Sequence, residues 1–265
     1  MRNKIFAIVL MCCAVGFLYS GYGLVTAWNT YTSAALCYET IQDQKKLEDL
    51  VSIEAKTGDV QPEDNLTHTM KQINADYIGW ITIGDTKIDY PIVHSNPKKN
   101  YLDHDFYGNR SVYGTLFIRH GQKLFENRNT VIYGHNMKDG GMFATLKRYL
   151  EKSWFDEHPD VQIRYDGQAV NCKVFSVQII SENNDYPYAD RFNDVEYSTF
   201  LNEMVQLSRI VPGELPDPEY PIITLSTCYG QKRLIVMAQS KEERENGIKT
   251  ITRSEERRVG KECRS

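Results

Sequence analysis

The chain has 265 residues, 41% of them hydrophobic and 25% charged, which allows one globular domain of ordinary size with a sizeable core and some appendages. The formal net charge is only −4, and the lysines and arginines of the soluble part are scattered without forming a basic stripe, which excludes nucleic-acid binding as the main role. There is no internal repeat and no low-complexity tract.

Residues 5–28 are mostly apolar and carry no charge, and the next charged residue after Lys4 is Glu39. About 20 apolar residues span a bilayer core as a helix. Arg2 and Lys4 precede the run, so the positive-inside rule leaves residues 1–4 in the cytoplasm and puts the rest of the chain outside. A cleaved signal would have a shorter apolar core, whereas here the run continues through Gly16-Phe17-Leu18-Tyr19, so 5–28 reads as an uncleaved membrane anchor. Residues 28–55 lack Gly and Pro and read as helix continuing from the span, while 57–65, with Gly58 and Pro62, reads as a hinge. Residues 63–75 give a second helical pattern, so 29–75 forms a helical extension.

Eight short segments rich in Ile, Val, Thr and aromatics follow, bounded by Gly, Asp, Asn or Pro: 79–83, 86–93, 114–118, 130–134, 161–165, 169–180, 221–227 and 233–240. This is a mainly β protein, and eight such strands suggest a closed barrel or a sandwich over 76–240. Two helical insertions interrupt them, at 142–149 and 195–208. The second carries Phe200, Leu201, Met204 and Val205 at helical spacing, a core-packing stripe between the sixth and seventh strands.

The chemistry concentrates near the end of the soluble part. Tyr220-Pro221-Ile222-Ile223 is an apolar strand leading into Thr224-Leu225-Ser226-Thr227-Cys228. A short polar turn, Tyr229-Gly230-Gln231-Lys232, precedes Arg233 and the apolar run Leu234-Ile235-Val236-Met237-Ala238. A cysteine at one strand end supplies a nucleophile. An arginine opening the next strand supplies fixed charge and donors for a developing oxyanion. Thr130-Val131-Ile132-Tyr133-Gly134-His135-Asn136-Met137 is a β-rich run that brings an imidazole to a strand end as the base. Ser226 and Thr227, just before the nucleophile, are candidates for substrate contact or for local strand hydrogen bonding.

The remaining cysteines do not suggest a scaffold. Cys12 and Cys13 lie in the apolar run, Cys37 just beyond it, Cys172 in the strand-like run Val170-Asn171-Cys172-Lys173-Val174-Phe175, and Cys263 in the tail. Their spacing matches neither a zinc site nor a disulfide framework, and Cys172 reads as a small core residue. His94, Asp103, His104 and Asp105 are the nearest approach to a metal set, but no HExxH-type or CxxC spacing supports it, so no metal and no cofactor is expected.

Four segments taken in order carry a resemblance: Ile78-Gly79-Trp80-Ile81 with Ile88-Asp89-Tyr90-Pro91-Ile92-Val93; Gly114-Thr115-Leu116-Phe117; residues 131–142; and Thr224 to Cys228 with Arg233. Behind an N-terminal anchor, they resemble the sortases, the cysteine transpeptidases of Gram-positive cell surfaces, and most of all class B. The resemblance covers roughly 74–240. It implies an eight-stranded barrel with N-terminal helices and a helix between the sixth and seventh strands. It also implies that Cys228, His135 and Arg233 are catalytic, and that Asn100 and Leu102, before Phe106-Tyr107-Gly108, belong to a substrate groove. The implied partners are secreted proteins with a C-terminal sorting signal of Asn-Pro-x-Thr-Asn or related Pro-x-Thr type, and an amine of a peptidoglycan precursor or cross-bridge. One departure is the connection of only four residues between Cys228 and Arg233, tighter than class B leads one to expect.

Residues 241–265 form a tail, of which 253–265 back-translates to something resembling a common sequencing-library adapter. That stretch is read as foreign, with the native chain ending or interrupted near Thr252. Two rival functions stand beside the sortase reading. A papain-like extracellular cysteine peptidase is opposed by the histidine preceding the cysteine. An inactive membrane-tethered β-barrel binding module is opposed by the retained Cys228, His135 and Arg233.

Overall fold

The structure, a computed structural model, describes residues 2–55, 65–97 and 99–240; most of the expected hinge and the whole tail lie outside these residues. Helix α1 runs unbroken over Arg2–Ala55, and α2 covers Asn65–Ile73. Eight strands follow: β1 (Tyr77–Thr82), β2 (Asp89–His94), β3 (Leu116–Ile118), β4 (Asn129–Tyr133), β5 (Asp160–Tyr165), β6 (Gln168–Ser181), β7 (Ile222–Tyr229) and β8 (Lys232–Ser240). They close into a barrel in the order β1-β2-β3-β4-β7-β8-β6-β5, with β2–β3 and β4–β7 parallel and the other pairs antiparallel. Closure removes the unpaired edges that a sheet of this size would otherwise expose.

The expected strand 86–93 begins three residues late. Asp85 has φ of +56°, and the Thr86 hydroxyl donates to the Ile83 carbonyl at 2.8 Å while accepting from Ile88 N–H at 2.9 Å. That local turn takes the backbone groups a ladder would use. The insertion at 142–149 is a 3-10 helix over Phe143–Leu150, followed by a short helix α3 (Lys152–Glu157) that the sequence pattern did not suggest.

Two apolar clusters divide the faces of the strands. Leu225 on β7, Ile132 on β4, and Leu234, Val236 and Ala238 on β8 point into the barrel. Val131, Ile222, Ile235 and Met237 point outward against α4 (Asp194–Gln206), which presents Tyr197, Phe200, Leu201 and Met204. Period-two alternation therefore assigns each residue to a face. Helix α4 starts in a capping box, in which Asn193 accepts from Glu196 N–H and the Glu196 carboxylate accepts from Asn193 N–H.

Helix α1 is part of the core. Ala34, Tyr38 and Ile41, spaced for one helical face, are buried against the barrel. Below them Lys45 pairs with Asp89 at 2.6 Å, Gln42 donates to the Asp89 carbonyl at 2.8 Å, and Arg164 pairs with Asp49.

Candidate active site

Register brings the site together. β4 and β7 run parallel with Tyr133 opposite Ser226, and Gly134 N–H continues the ladder to the Ser226 carbonyl at 3.1 Å. Counting on two residues sets His135 level with Cys228. Val131 and Tyr133 pack on the outer cluster, so His135 falls on the outer face, as Cys228 does by alternation from Ile222. β7 returns into β8 through the two-residue turn Gly230-Gln231, with Gly230 at φ of +63°, so Cys228 pairs directly with Arg233. Arg233 shares its face with Ile235 and Met237. All three side chains thus emerge on one face, where the strands run on beyond the cover of α4.

Cys228 is exposed, while His135 and Arg233 are half-buried. Arg233 Nη1 donates to Cys228 Sγ at 3.1 Å, and its Nη2 meets Glu182 Oε1, just past the end of β6, at 3.1 Å. His135 Nε2 lies 2.6 Å from the Leu102 carbonyl. A carbonyl only accepts, so Nε2 carries the hydrogen and Nδ1 is left for other chemistry. Among the described residues no hydrogen bond joins the His135 ring directly to the Cys228 thiol. Asn136 Nδ2 donates to the Cys228 carbonyl at 2.8 Å, tying the turn after His135 to β7.

The local backbone explains Gly134. A Cβ there would come within 2.4 Å of Leu116 Cδ2 and 2.7 Å of Phe143 Cδ2, so only glycine lets the strand end beneath these side chains. Phe143 N–H bonds the His135 carbonyl at 2.9 Å, closing the 135–143 turn. That turn also contains Met142, a fully buried non-glycine residue at φ of +51°.

The expected substrate contacts divide. Leu102 is exposed and touches His135 through its backbone. Asn100 is exposed, with its side chain accepting from Leu102 N–H at 3.1 Å. Ser226 and Thr227 are buried: the Ser226 hydroxyl is paired with Tyr188 at 2.8 Å, and Thr227 Oγ1 lies inside without a hydrogen-bond partner. Glu182, Tyr188 and the amide role of Asn136 were not read from the sequence. Only Asn136, inside the Gly-His motif, offered a signal there.

His104 bonds the Asn100 carbonyl and Asp103, whereas His94 faces the Gln122 carbonyl, so the two imidazoles are engaged separately. Cys172 is buried, and Cys37 donates to Asp105 at 3.7 Å. Burial first, then the Asp105 charge and hydrogen bond, push the Cys37 thiol up to about 12. Cys228 is the exposed thiol of the barrel domain. A cavity of about 550 Å³, lined by Phe155, Lys173, Phe175, Leu215 and Gln239 among others, lies toward the opposite end of β8 from Arg233 and is separate from this site.

The sortase-domain family model matches residues 81–241. Sortase B of Listeria monocytogenes is 34% identical over 203 residues, covering 74% of this chain and 81% of that protein. Sortase B of Staphylococcus aureus is 29% identical over 246 residues, covering 90% and 98%. The solved Staphylococcus aureus sortase B–substrate complex superposes with a TM-score of 0.70 at 26% identity, over 80% of this chain and 97% of that one.

Proposed function

This chain belongs to the sortase family, class B, a family of cysteine transpeptidases, and we propose that it cleaves a C-terminal sorting signal after Thr and joins the acyl group to a cell-wall amine. Cys228 is the nucleophile. Its thiolate attacks the Thr carbonyl, and the new C–S bond leaves a tetrahedral oxyanion. Arg233, always charged, holds that oxygen or aligns the substrate backbone. As the C–N bond breaks, the protonated His135 ring gives its proton to the departing amine. The acceptor amine then attacks the thioester, passes a proton back to His135, and the C–S bond breaks to free the thiolate. Dividing one difficult substitution into two easier ones is the advantage of covalent catalysis.

The observation that carries this reading is the guanidinium 3.1 Å from Cys228 Sγ, on the strand face where His135 also ends. Exposed Leu102 and Asn100 meet the peptide directly. Ser226 and Thr227, buried in the free enzyme, contribute through the strand that positions Cys228 and through the Tyr188 pair. The substrates are secreted proteins with an Asn-Pro-x-Thr-Asn-like or Pro-x-Thr-Gly-like signal, and the acceptor is a peptidoglycan precursor or cross-bridge amine. Helix α1, long and apolar enough at its N-terminal end to cross a bilayer, anchors the enzyme with its N-terminus cytoplasmic and residues 76–240 outside. Incubating the protein with a sorting-motif peptide and no amine tests the first half-reaction. The mass of the acyl fragment should appear on Cys228 and be absent from Cys228→Ala. Acylation elsewhere, or cleavage by Cys228→Ala, contradicts the assignment.

A further inference from the structure

We infer that Tyr38, carried by the helix that continues the membrane span, is a positioning residue for the His135 imidazole. This rests on the catalytic role proposed above for His135. The two segments that fix His135 both converge on this one tyrosine.

The first segment is the loop that supplies the acceptor. Tyr38 is buried, and its hydroxyl bonds the Gly114 carbonyl and lies 3.1 Å from Thr115 Oγ1. Burial raises the phenol well above its ordinary range, so it stays protonated and acts as the donor to that carbonyl. Gly114, at φ of +59°, backs so closely onto the 101–102 backbone that a Cβ would meet the Tyr101 oxygen at 2.5 Å and the Leu102 oxygen at 2.7 Å. Thr115 N–H bonds the Tyr101 carbonyl at 2.8 Å, and Thr115 Oγ1 donates to the His104 carbonyl at 2.9 Å. One of the two oxygens that face Gly114 is the Leu102 carbonyl, which accepts from His135 Nε2. A displacement of Gly114 therefore reaches the imidazole through one closely packed step.

The second segment is the turn after His135. The Tyr38 ring stacks on Tyr113 with centroids 6.1 Å apart and meets Tyr90 edge-on at 5.3 Å. Tyr113 bonds the Asp139 carboxylate, and the Tyr90 hydroxyl accepts from Met142 N–H at 3.2 Å. Asp139 and Met142 lie in the turn closed by the bond from Phe143 N–H to the His135 carbonyl. Tyr38 thus braces the backbone of His135 from one side and its ring partner from the other. About 15 Å of helix separates it from the end of the apolar run at Trp28. The membrane-proximal helix is therefore part of the site's framework as well as its tether.

The test compares full-length protein in detergent micelles, wild type against Tyr38→Phe and Gly114→Ala, by transpeptidation and by Cys228 alkylation across pH. Phenylalanine keeps the ring packing and deletes only the donor; alanine forces a Cβ onto the Tyr101 and Leu102 carbonyls. Each variant should lower kcat by about 10- to 100-fold, the order expected for misplacing a catalytic group, with KM little changed. The pH profile of turnover should move, and Tyr38→Phe added to His135→Asn should cost nothing more than His135→Asn alone. A lowered melting temperature with kcat and pH profile unchanged in both variants overturns the inference and leaves the proposed function standing. Activity retained by His135→Asn itself overturns the role of His135 and, with it, this inference.

Discussion

Replacing Arg233 by lysine separates charge from geometry. The guanidinium reaches two partners at once, Cys228 Sγ through Nη1 and Glu182 through Nη2, each at 3.1 Å. A lysine keeps the positive charge but has one nitrogen. If it turns to Glu182 it leaves the thiol, and if it turns to the thiol it loses the hold that aims it. Losing one oxyanion-type donor costs about 2.7–4 kcal/mol, a rate factor on the order of 10²–10³. The fold should hardly notice, because the Glu182 partner is 64% exposed and such ion pairs contribute about 0–1 kcal/mol. The assay is kcat for transpeptidation beside a thermal melt, with alkylation of Cys228 measured in parallel. We expect a loss of turnover on that scale, a shift in melting temperature of a few degrees at most, and an altered alkylation rate, because the donor that touches Cys228 Sγ is gone. Near-native turnover in Arg233→Lys would show that charge alone suffices and would refute the two-pronged role.

Gly134→Ala places a Cβ 2.4 Å from Leu116 and 2.7 Å from Phe143; a melt should show about 1–3 kcal/mol of destabilisation, with turnover reduced as His135 shifts, and an unaffected enzyme would contradict the packing account. A fragment of residues 29–240 keeps Ala34, Tyr38 and Ile41 in the core and should be soluble and active, whereas starting after α1 exposes the face they cover; aggregation of the 29–240 fragment would count against this. In that fragment, with Cys37, Cys172 and Cys228 present, alkylation at neutral pH should add one label, on Cys228, and Cys172→Ala should leave turnover unchanged; peptide mapping that finds Cys37 or Cys172 modified first contradicts the burial argument. Cys37 also gives a pH signature: its folded value is raised from 9.0 to about 12, so its stabilising contribution is complete below about pH 9 and is lost as pH rises toward about 12, a loss that Cys37→Ala should remove from the alkaline stability curve.

The strands were legible because each is a short β-rich run ended by a turn former, and a two-residue turn at Gly230-Gln231 leaves Cys228 no pairing except Arg233, whereas the choice of a barrel over a sandwich came from the family resemblance. The parallel partnership of β4 with β7, which levels His135 with Cys228, joins segments some ninety residues apart and was not read from the sequence, where only the resemblance linked the two residues. Ser226 and Thr227 show that strand position alone does not give access: both precede an exposed cysteine, yet the Tyr188 turn and the barrel interior cover them. Glu182 and Tyr38 were illegible for the same reason as each other. A glutamate in a polar loop and a tyrosine on a long helix acquire meaning only from partners fifty or more residues away. Short helix α3 carries too few residues for a periodic pattern to register.

The central claim is that Cys228 forms an acyl-enzyme which an amine resolves. Its most direct test is to mix the enzyme with a sorting-motif peptide and a short amine acceptor and to identify the products by mass spectrometry. The account predicts a peptide joined through its Thr carbonyl to the acceptor amine, formed by the wild type and not by Cys228→Ala. Release of free Thr carboxylate alone with acceptor in excess, or the joined product from Cys228→Ala, would contradict it.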